Sequence, residues 1–233
     1  MVKIRQMSKY TIYTVFDVQS NDRLRSLPYL LEFVKTAASY EFNFSMDSRS
    51  KNKPDLDTAL EIVTQNRNRA IENHRVSDIL HFENEDLYLS TSFEIANWNL
   101  FVITVSSNCF PREKTRRLKA VRSFVRFCEV AYNIFAPDYG YGLTNPELQP
   151  IAPLNLQVVP DTIFDLNFFG PEMTKRIGKE KLSACPTWRT VNFDDGGSLL
   201  ELSEDPVEQP GDFRDNYIKT ANILGINKTQ LGV

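Results

Sequence analysis

Glycine is missing from the first 139 residues, because all nine glycines of the 233-residue chain lie at or beyond position 140. A Walker or dinucleotide-type glycine loop is therefore excluded from that stretch. Histidine is scarce too: His74 and His81 are the only two. Any histidine metal site would need carboxylate or thiolate help, and only "HFENED", with Glu83, Glu85 and Asp86 beside His81, offers it. Such a cluster at a strand-to-turn boundary reads first as solvated, and no metal or cofactor is expected. The three cysteines, Cys109, Cys128 and Cys185, are too few, too dispersed and too odd in number for a disulfide framework or a metal knuckle. Cys128 falls on an apolar helix face and reads as a buried thiol.

No apolar run approaches the ~20 residues that span a bilayer, so no membrane association is expected. The opening "MVKIRQMSKYTIYTVFD" has positive charge without a following apolar stretch, and no signal peptide is expected there. Met7 is a second candidate start. The cytoplasm is the expected compartment. The net charge of −3 lacks the basic surplus of a generic nucleic-acid binder.

What is present is ordinary globular material, 42% hydrophobic and 24% charged. Residues 10–18 read as a strand, and "SLPYLLEFVKTAAS" as a helix with Pro28 early in it. "YEFNFSM" alternates, placing Tyr40, Phe42, Phe44 and Met46 on one strand face. A helix over 56–72 shows a thin stripe (Leu56, Leu60, Val63, Ala70) interrupted by Arg67. Two strands around Ala96–Asn97 read as a hairpin whose second member, apolar on both faces, lies inside the sheet. The longest helix candidate covers 112–135, with Leu118, Val121, Val125, Cys128, Tyr132 and Phe135 as its apolar stripe.

Residues 137–160, with five prolines and two glycines, read as irregular chain and as the place for a subdivision into 1–136 and 160–233. "TIFDLNFF" reads as one strand. In "FFGPEMTKRIG" the Gly170–Pro171 junction reads as punctuation: glycine turns the chain, Pro171 takes the first helical position, and Glu172 complements the dipole. A "DDGG" turn joins two strands between Trp188 and Leu202, and a last helix over 214–224 stops at Gly225. The sum is a single α+β domain: an antiparallel sheet with helices packed on it, the 112–135 helix across one face.

No catalytic constellation stands out. Asp161 and Asp165 are spaced like carboxylates at two edges of one strand, a weak signal, and a small cytoplasmic enzyme using buried carboxylates is the alternative reading. Two charged surfaces are more distinctive. Arg112, Arg116, Lys119, Arg122 and Arg126 project to one side of the long helix, opposite its apolar stripe. That face reads as a solvated one, as an anion- or partner-binding ridge, or as the surface of a nucleic-acid accessory protein. The segment 194–212 carries seven acids, Asp194, Asp195, Glu201, Glu204, Asp205, Glu208 and Asp212, and no Lys or Arg.

The C-terminal part of the chain resembles bacterial toxin-immunity proteins, of the type VI secretion immunity and immunity protein 52-like kind. The resemblance rests on "FDLNFFGPEMTKRIGKEKL", "DDGGSLLELSEDPVEQPGD" and "YIKTANIL" in that order, with the loop "PDYGYG" at 137–142. The corresponding marks are Phe169–Gly170, Ile177–Gly178, Gly196–Gly197, Pro206 with Gly211–Asp212, and Tyr217. Where such proteins often carry a Gly–Gly step, this chain has Gly178–Lys179. The resemblance implies a non-catalytic protein that binds and neutralises a cognate protein toxin. Should that toxin act on nucleic acid, its cleft is expected to be positive, and the 194–212 segment (Asp194, Asp195, Glu204, Asp205) would complement it. The competing expectation is that these acids pair internally with Arg116, Arg122 or Arg126.

Overall fold

The computed structural model describes residues 11–18, 22–45, 53–72, 77–94, 100–106, 110–143, 162–207, 214–226 and 228–229. Strand β1 (Thr11–Asp17) leads through a short 3-10 turn (Arg23–Arg25) into helix α1 (Leu27–Ser39), which Pro28 opens in its first turn. Strand β2 (Asn43–Ser45) and helix α2 (Leu56–Glu72) follow. Next come strands β3 (Ser77–Glu83), β4 (Tyr88–Glu94) and β5 (Leu100–Ser106), then helix α3 (Lys114–Phe135). Beyond it lie β6 (Tyr139–Leu143), β7 (Thr162–Ile163), β8 (Leu166–Phe169), α4 (Pro171–Ile177) and α5 (Lys179–Ala184). The chain closes with β9 (Arg189–Asn192), β10 (Ser198–Glu201), α6 (Arg214–Leu224) and β11 (Lys228–Thr229).

Nine strands form one sheet in the order β2-β3-β4-β5-β1-β6-β8-β10-β9, and every neighbouring pair in it is antiparallel. The expected α+β class and the expected hairpins are therefore present. The β4–β5 ladder pairs Phe93 with Phe101, while the Ala96–Asn97 connection lies outside the described residues. A second, two-stranded sheet pairs β11 with β7 in parallel.

Side-chain alternation along the strands separates two cores. On one face Phe16, Leu80, Phe82, Leu89, Phe101, Ile103, Phe168 and Leu199 pack against α1, α2 and α3. On the other, Tyr139, Tyr141, Phe169 and Leu200 pack against Met173 and Ile177 of α4, Leu182 of α5, and Tyr217, Ala221 and Leu224 of α6.

Four expectations need correction. Residues 139–143 are not irregular chain but β6, paired on both sides by β1 and β8. Its glycines mark close approach: a Cβ at Gly140 would lie 2.4 Å from the Phe16 ring, and one at Gly142 2.9 Å from Leu166. "TIFDLNFF" is broken into β7 and β8, because the Asn167 side chain accepts from the Phe164 N–H and donates to its carbonyl, closing a turn. Tyr40 is not on a strand: it caps α1 and is exposed, while Phe42 and Phe44 are buried as expected and Met46 lies outside the described residues. The α2 stripe runs through Ala59, Val63 and Arg67, whereas Leu56 faces out. Arg67 is buried and donates to the Leu24 carbonyl at 2.9 Å, so its guanidinium ties α2 to the turn before α1. The Gly170–Pro171 junction is structural, as expected: a Cβ at Gly170 would meet the Pro137 and Asp138 carbonyls at 2.6 and 2.8 Å.

Candidate functional site

Helix α3 is the shared wall of two charged regions. Its start is set by Glu113, whose carboxylate accepts from the N–H groups of Thr115 and Arg116 at 2.8 and 3.0 Å. These bonds hold the Glu113 carboxyl below the usual range. The apolar stripe is buried against the sheet, and the Cys128 thiol donates to the Thr14 hydroxyl at 3.5 Å. Burial pushes that thiol well up, so it is inert. Arg112 precedes the helix, and with Arg116, Lys119, Arg122 and Arg126 it is exposed.

The first region is a groove of about 690 Å³ between the end of α1, β2, the β3–β4 turn and α3. Its lining is Ser39–Asn43, Lys53, Asn84, Glu85 and Asp86, with Lys119, Arg122, Ser123 and Arg126. The chain leaves α1 through its cap Tyr40 and then Glu41, whose φ of 68° is the left-handed conformation that turns it toward β2. The Arg126 guanidinium lies 4.4 Å from the Tyr40 ring centroid. The opposite rim is fixed by Asn84: its side-chain oxygen accepts from Asp86 and Leu87 N–H at 2.9 Å, and its amide donates to Ser123 at 2.6 Å. Lys119 pairs with Asp86 at 3.2 Å and Glu85 at 3.5 Å, and Lys53 pairs with Glu83 at 3.3 Å.

The second region is the seam between α3 and the β9–β10 hairpin. Asp205 is buried and accepts from Arg117 Nε at 2.8 Å, while Arg117 also donates to the Arg112 carbonyl. Glu204 meets Arg122 at 3.5 Å. Asp195 accepts the Tyr132 hydroxyl at 3.1 Å and the Gly197 N–H at 2.8 Å. Asp194 is exposed in the turn. Glu201 and Glu129 share the Arg189 guanidinium. Of the three arginines expected as internal partners, Arg122 meets an acid of the 194–212 segment, Glu204; Arg116 is exposed and Arg126 lies on Tyr40. Glu208 and Asp212 lie outside the described residues.

The seam's main cation, Arg117, was missed by reading the basic face alone. The signal was present, because 117, 121, 124 and 128 follow one helical stripe, which places Arg117 among buried positions.

Glu201 gives the seam a pH dependence. Burial pushes its carboxyl up to about 7, with Glu129 adding and the Arg189 guanidinium opposing. An acid raised above its ordinary value near 4.5 binds its proton more tightly when folded. That contribution to stability is full below the ordinary value and is lost as pH rises through about 7. We therefore predict that stability declines between about pH 4.5 and pH 7, by at most ~1.4 kcal/mol per pH unit from this group. Urea denaturation across that range should show a flatter profile for Glu201→Gln; an unchanged slope would exclude Glu201 as its source.

Among the described residues no three metal-ligating side chains cluster, and no helix is long and apolar enough to cross a membrane. His81 and Glu83 share a face of β3 as expected; the His81 ring bonds Ser90 at 2.9 Å and stacks on Tyr88. His74, Cys109 and Asp161 lie outside the described residues. Asp165 is buried on the face opposite α3 and accepts the Tyr217 hydroxyl, binding α6 to the β7–β8 turn.

No protein-family model matches the chain and no curated protein matches it. Among solved structures the chain is similar to the T6SS protein PA0821 of Pseudomonas aeruginosa, with 11% identity, 93% of this chain and 72% of that chain covered, and a TM-score of 0.49. It is also similar to a chain of the complex between the toxic C-terminal tip of CdiA from Pseudomonas aeruginosa and an immune protein, with 13% identity, 59% and 88% covered, and a TM-score of 0.31.

Proposed function

We propose that this chain is a non-catalytic binding protein that recognises a partner protein and, following the resemblance of its C-terminal motifs, neutralises it as an immunity protein neutralises a toxin. The observation that supports binding is the exposed Tyr40 carrying Arg126 at the mouth of a polar, charged groove. Tyrosine and arginine are the side chains that most often anchor protein interfaces, whereas small-molecule sites are mostly apolar and enclosed. The proposed place of action is the cytoplasm.

The buried carboxylates favour a binding protein over an enzyme. Asp165 takes the Tyr217 hydroxyl, Glu201 takes Arg189, and Asp205 takes Arg117, each joining two elements of the fold. The basic helix is also poorly suited to nucleic acid, since Lys119, in the middle of its basic face, is engaged by Asp86 and Glu85 of this chain.

The test is co-expression with a toxin encoded beside it. Growth should stop with the toxin alone and resume when this chain is present, and the two proteins should co-purify. Absence of both rescue and complex would overturn the proposal.

A further inference from the structure

We infer that the α1–α3 groove is the docking site, and that it receives an extended acidic segment of the partner through Arg122 and Arg126. The inference rests on the binding role proposed above and concerns where binding occurs. Four cations line the groove, but they are not equivalent. Lys53 and Lys119 are engaged by Glu83 and by Asp86 with Glu85. Arg122 is loosely held: its contact with Glu204 is 3.5 Å long and its side chain is 70% exposed. Arg126 has, among the described residues, no carboxylate within ion-pair distance, and its guanidinium lies over the Tyr40 ring.

That contact is what makes Arg126 a receptor. A guanidinium lying over an aromatic ring keeps its orientation without using its in-plane N–H donors, which remain available for a bidentate carboxylate. Arg122 stands one helical turn away, a rise of about 6 Å. Alternate residues of an extended chain are about 6.6 Å apart, so carboxylates at positions i and i+2 match the two guanidiniums. Glu41, exposed on the groove's rim, sets the sign of a control, because its charge opposes the same ligand. Glu41, Glu85 and Asp86 together disfavour a polyphosphate backbone, which would bring unbroken negative charge past all three.

The hairpin is the weaker surface. Asp205 is buried on Arg117 and Glu204 faces Arg122, which leaves Asp194 and Asp195, the latter accepting the Tyr132 hydroxyl, as the exposed acids among the four expected there.

The probe is a fluorescent peptide of alternating Asp and Ser, titrated into the full chain, with a single-stranded oligonucleotide of equal charge as comparison. Saturable peptide binding is expected, weakened about tenfold by Arg126→Ala and by Arg122→Ala and only partly restored by Arg126→Lys. Glu41→Gln should tighten it two- to threefold. Far-UV spectra and melting curves of each variant exclude unfolding, and should Arg126→Ala fail to fold, the exposed Glu41→Gln still decides. Equal binding by wild type and both arginine variants overturns the inference, as does oligonucleotide binding without peptide binding. The same variants in the co-expression test separate the two levels. Rescue by wild type and loss with Arg126→Ala supports both. Rescue by wild type and variants alike, or loss with Asp194→Asn instead, overturns the groove and leaves the neutralising role. No rescue by wild type overturns that role, and the peptide titration then judges the groove alone.

Discussion

Replacing Phe33 with alanine is expected to cost about 3–5 kcal/mol, a large share of a typical domain's stability. The reason is its position. Phe33 is fully buried on α1, and its ring meets those of Phe82 from β3, Phe101 from β5, and Phe127 and Phe135 from α3, with centroids 5.2–5.5 Å away. Four elements would border the resulting cavity, and none can collapse into it without dragging sheet or helix. Edge-to-face contacts would be lost in addition to buried area. The expected drop in melting temperature is roughly 10 °C for a chain of this size. Phe110→Ala supplies the contrast, because that ring lies just before α3 and, among the described residues, meets only the ring of Phe124, at 6.5 Å. Its loss should be clearly smaller in the same thermal and urea curves. Equal losses, or a Phe33 effect below about 1 kcal/mol, would show that α1 is not the keystone of this layer.

Sequence patterns were most legible where local and tertiary demands agree. The 112–135 stripe became α3 because the same residues satisfy the helix and the sheet beneath it. The "DDGG" turn became the β9–β10 hairpin because Gly196 takes a φ of 94° and Gly197 leaves room under the Tyr132 hydroxyl. Reading failed where a partner distant in sequence decided the outcome. Gly140 and Gly142 look like loop residues until Phe16 and Leu166 are seen filling the space beside them. Arg67 and Arg117 look like interruptions or solvated charges, although each sits on a buried stripe and has its guanidinium bonded within the fold. The groove was the least legible feature. Tyr40 fitted an alternating strand pattern, whereas it ends α1 and lies against Arg126, 86 positions later in the chain. The basic face itself was visible; which of its members face an acid of the same chain was not.

Asp205→Ala is expected to destabilise the protein by about 3–5 kcal/mol, since it leaves the buried Arg117 guanidinium without its carboxylate. Each side chain of that pair is only 10% exposed, so solvent cannot replace the missing charge. Glu204→Gln, at the adjacent position, should cost less than about 1 kcal/mol, because its partner Arg122 is 70% exposed. Salt separates the two effects: the Glu204 difference should fade in about 0.5 M salt, and the Asp205 difference should persist. A double variant, Arg117→Met with Asp205→Leu, should recover much of the Asp205→Ala loss, because removing both charges also removes their desolvation cost. It will not recover all of it, since Arg117 also donates to the Arg112 carbonyl at the entrance to α3. Equilibrium denaturation of the four proteins measures these terms. The acids of the 194–212 segment were expected either to meet a partner or to hold the helix, and these variants discriminate. If Asp205→Ala leaves stability within about 0.5 kcal/mol of wild type yet slows association with a partner, the pair is not holding the hairpin to α3, and the acidic face returns as the docking surface. If stability falls as expected while association of the folded fraction is unchanged, Asp205 acts by anchoring the segment after β10 to α3, and the basic groove is left to meet the partner.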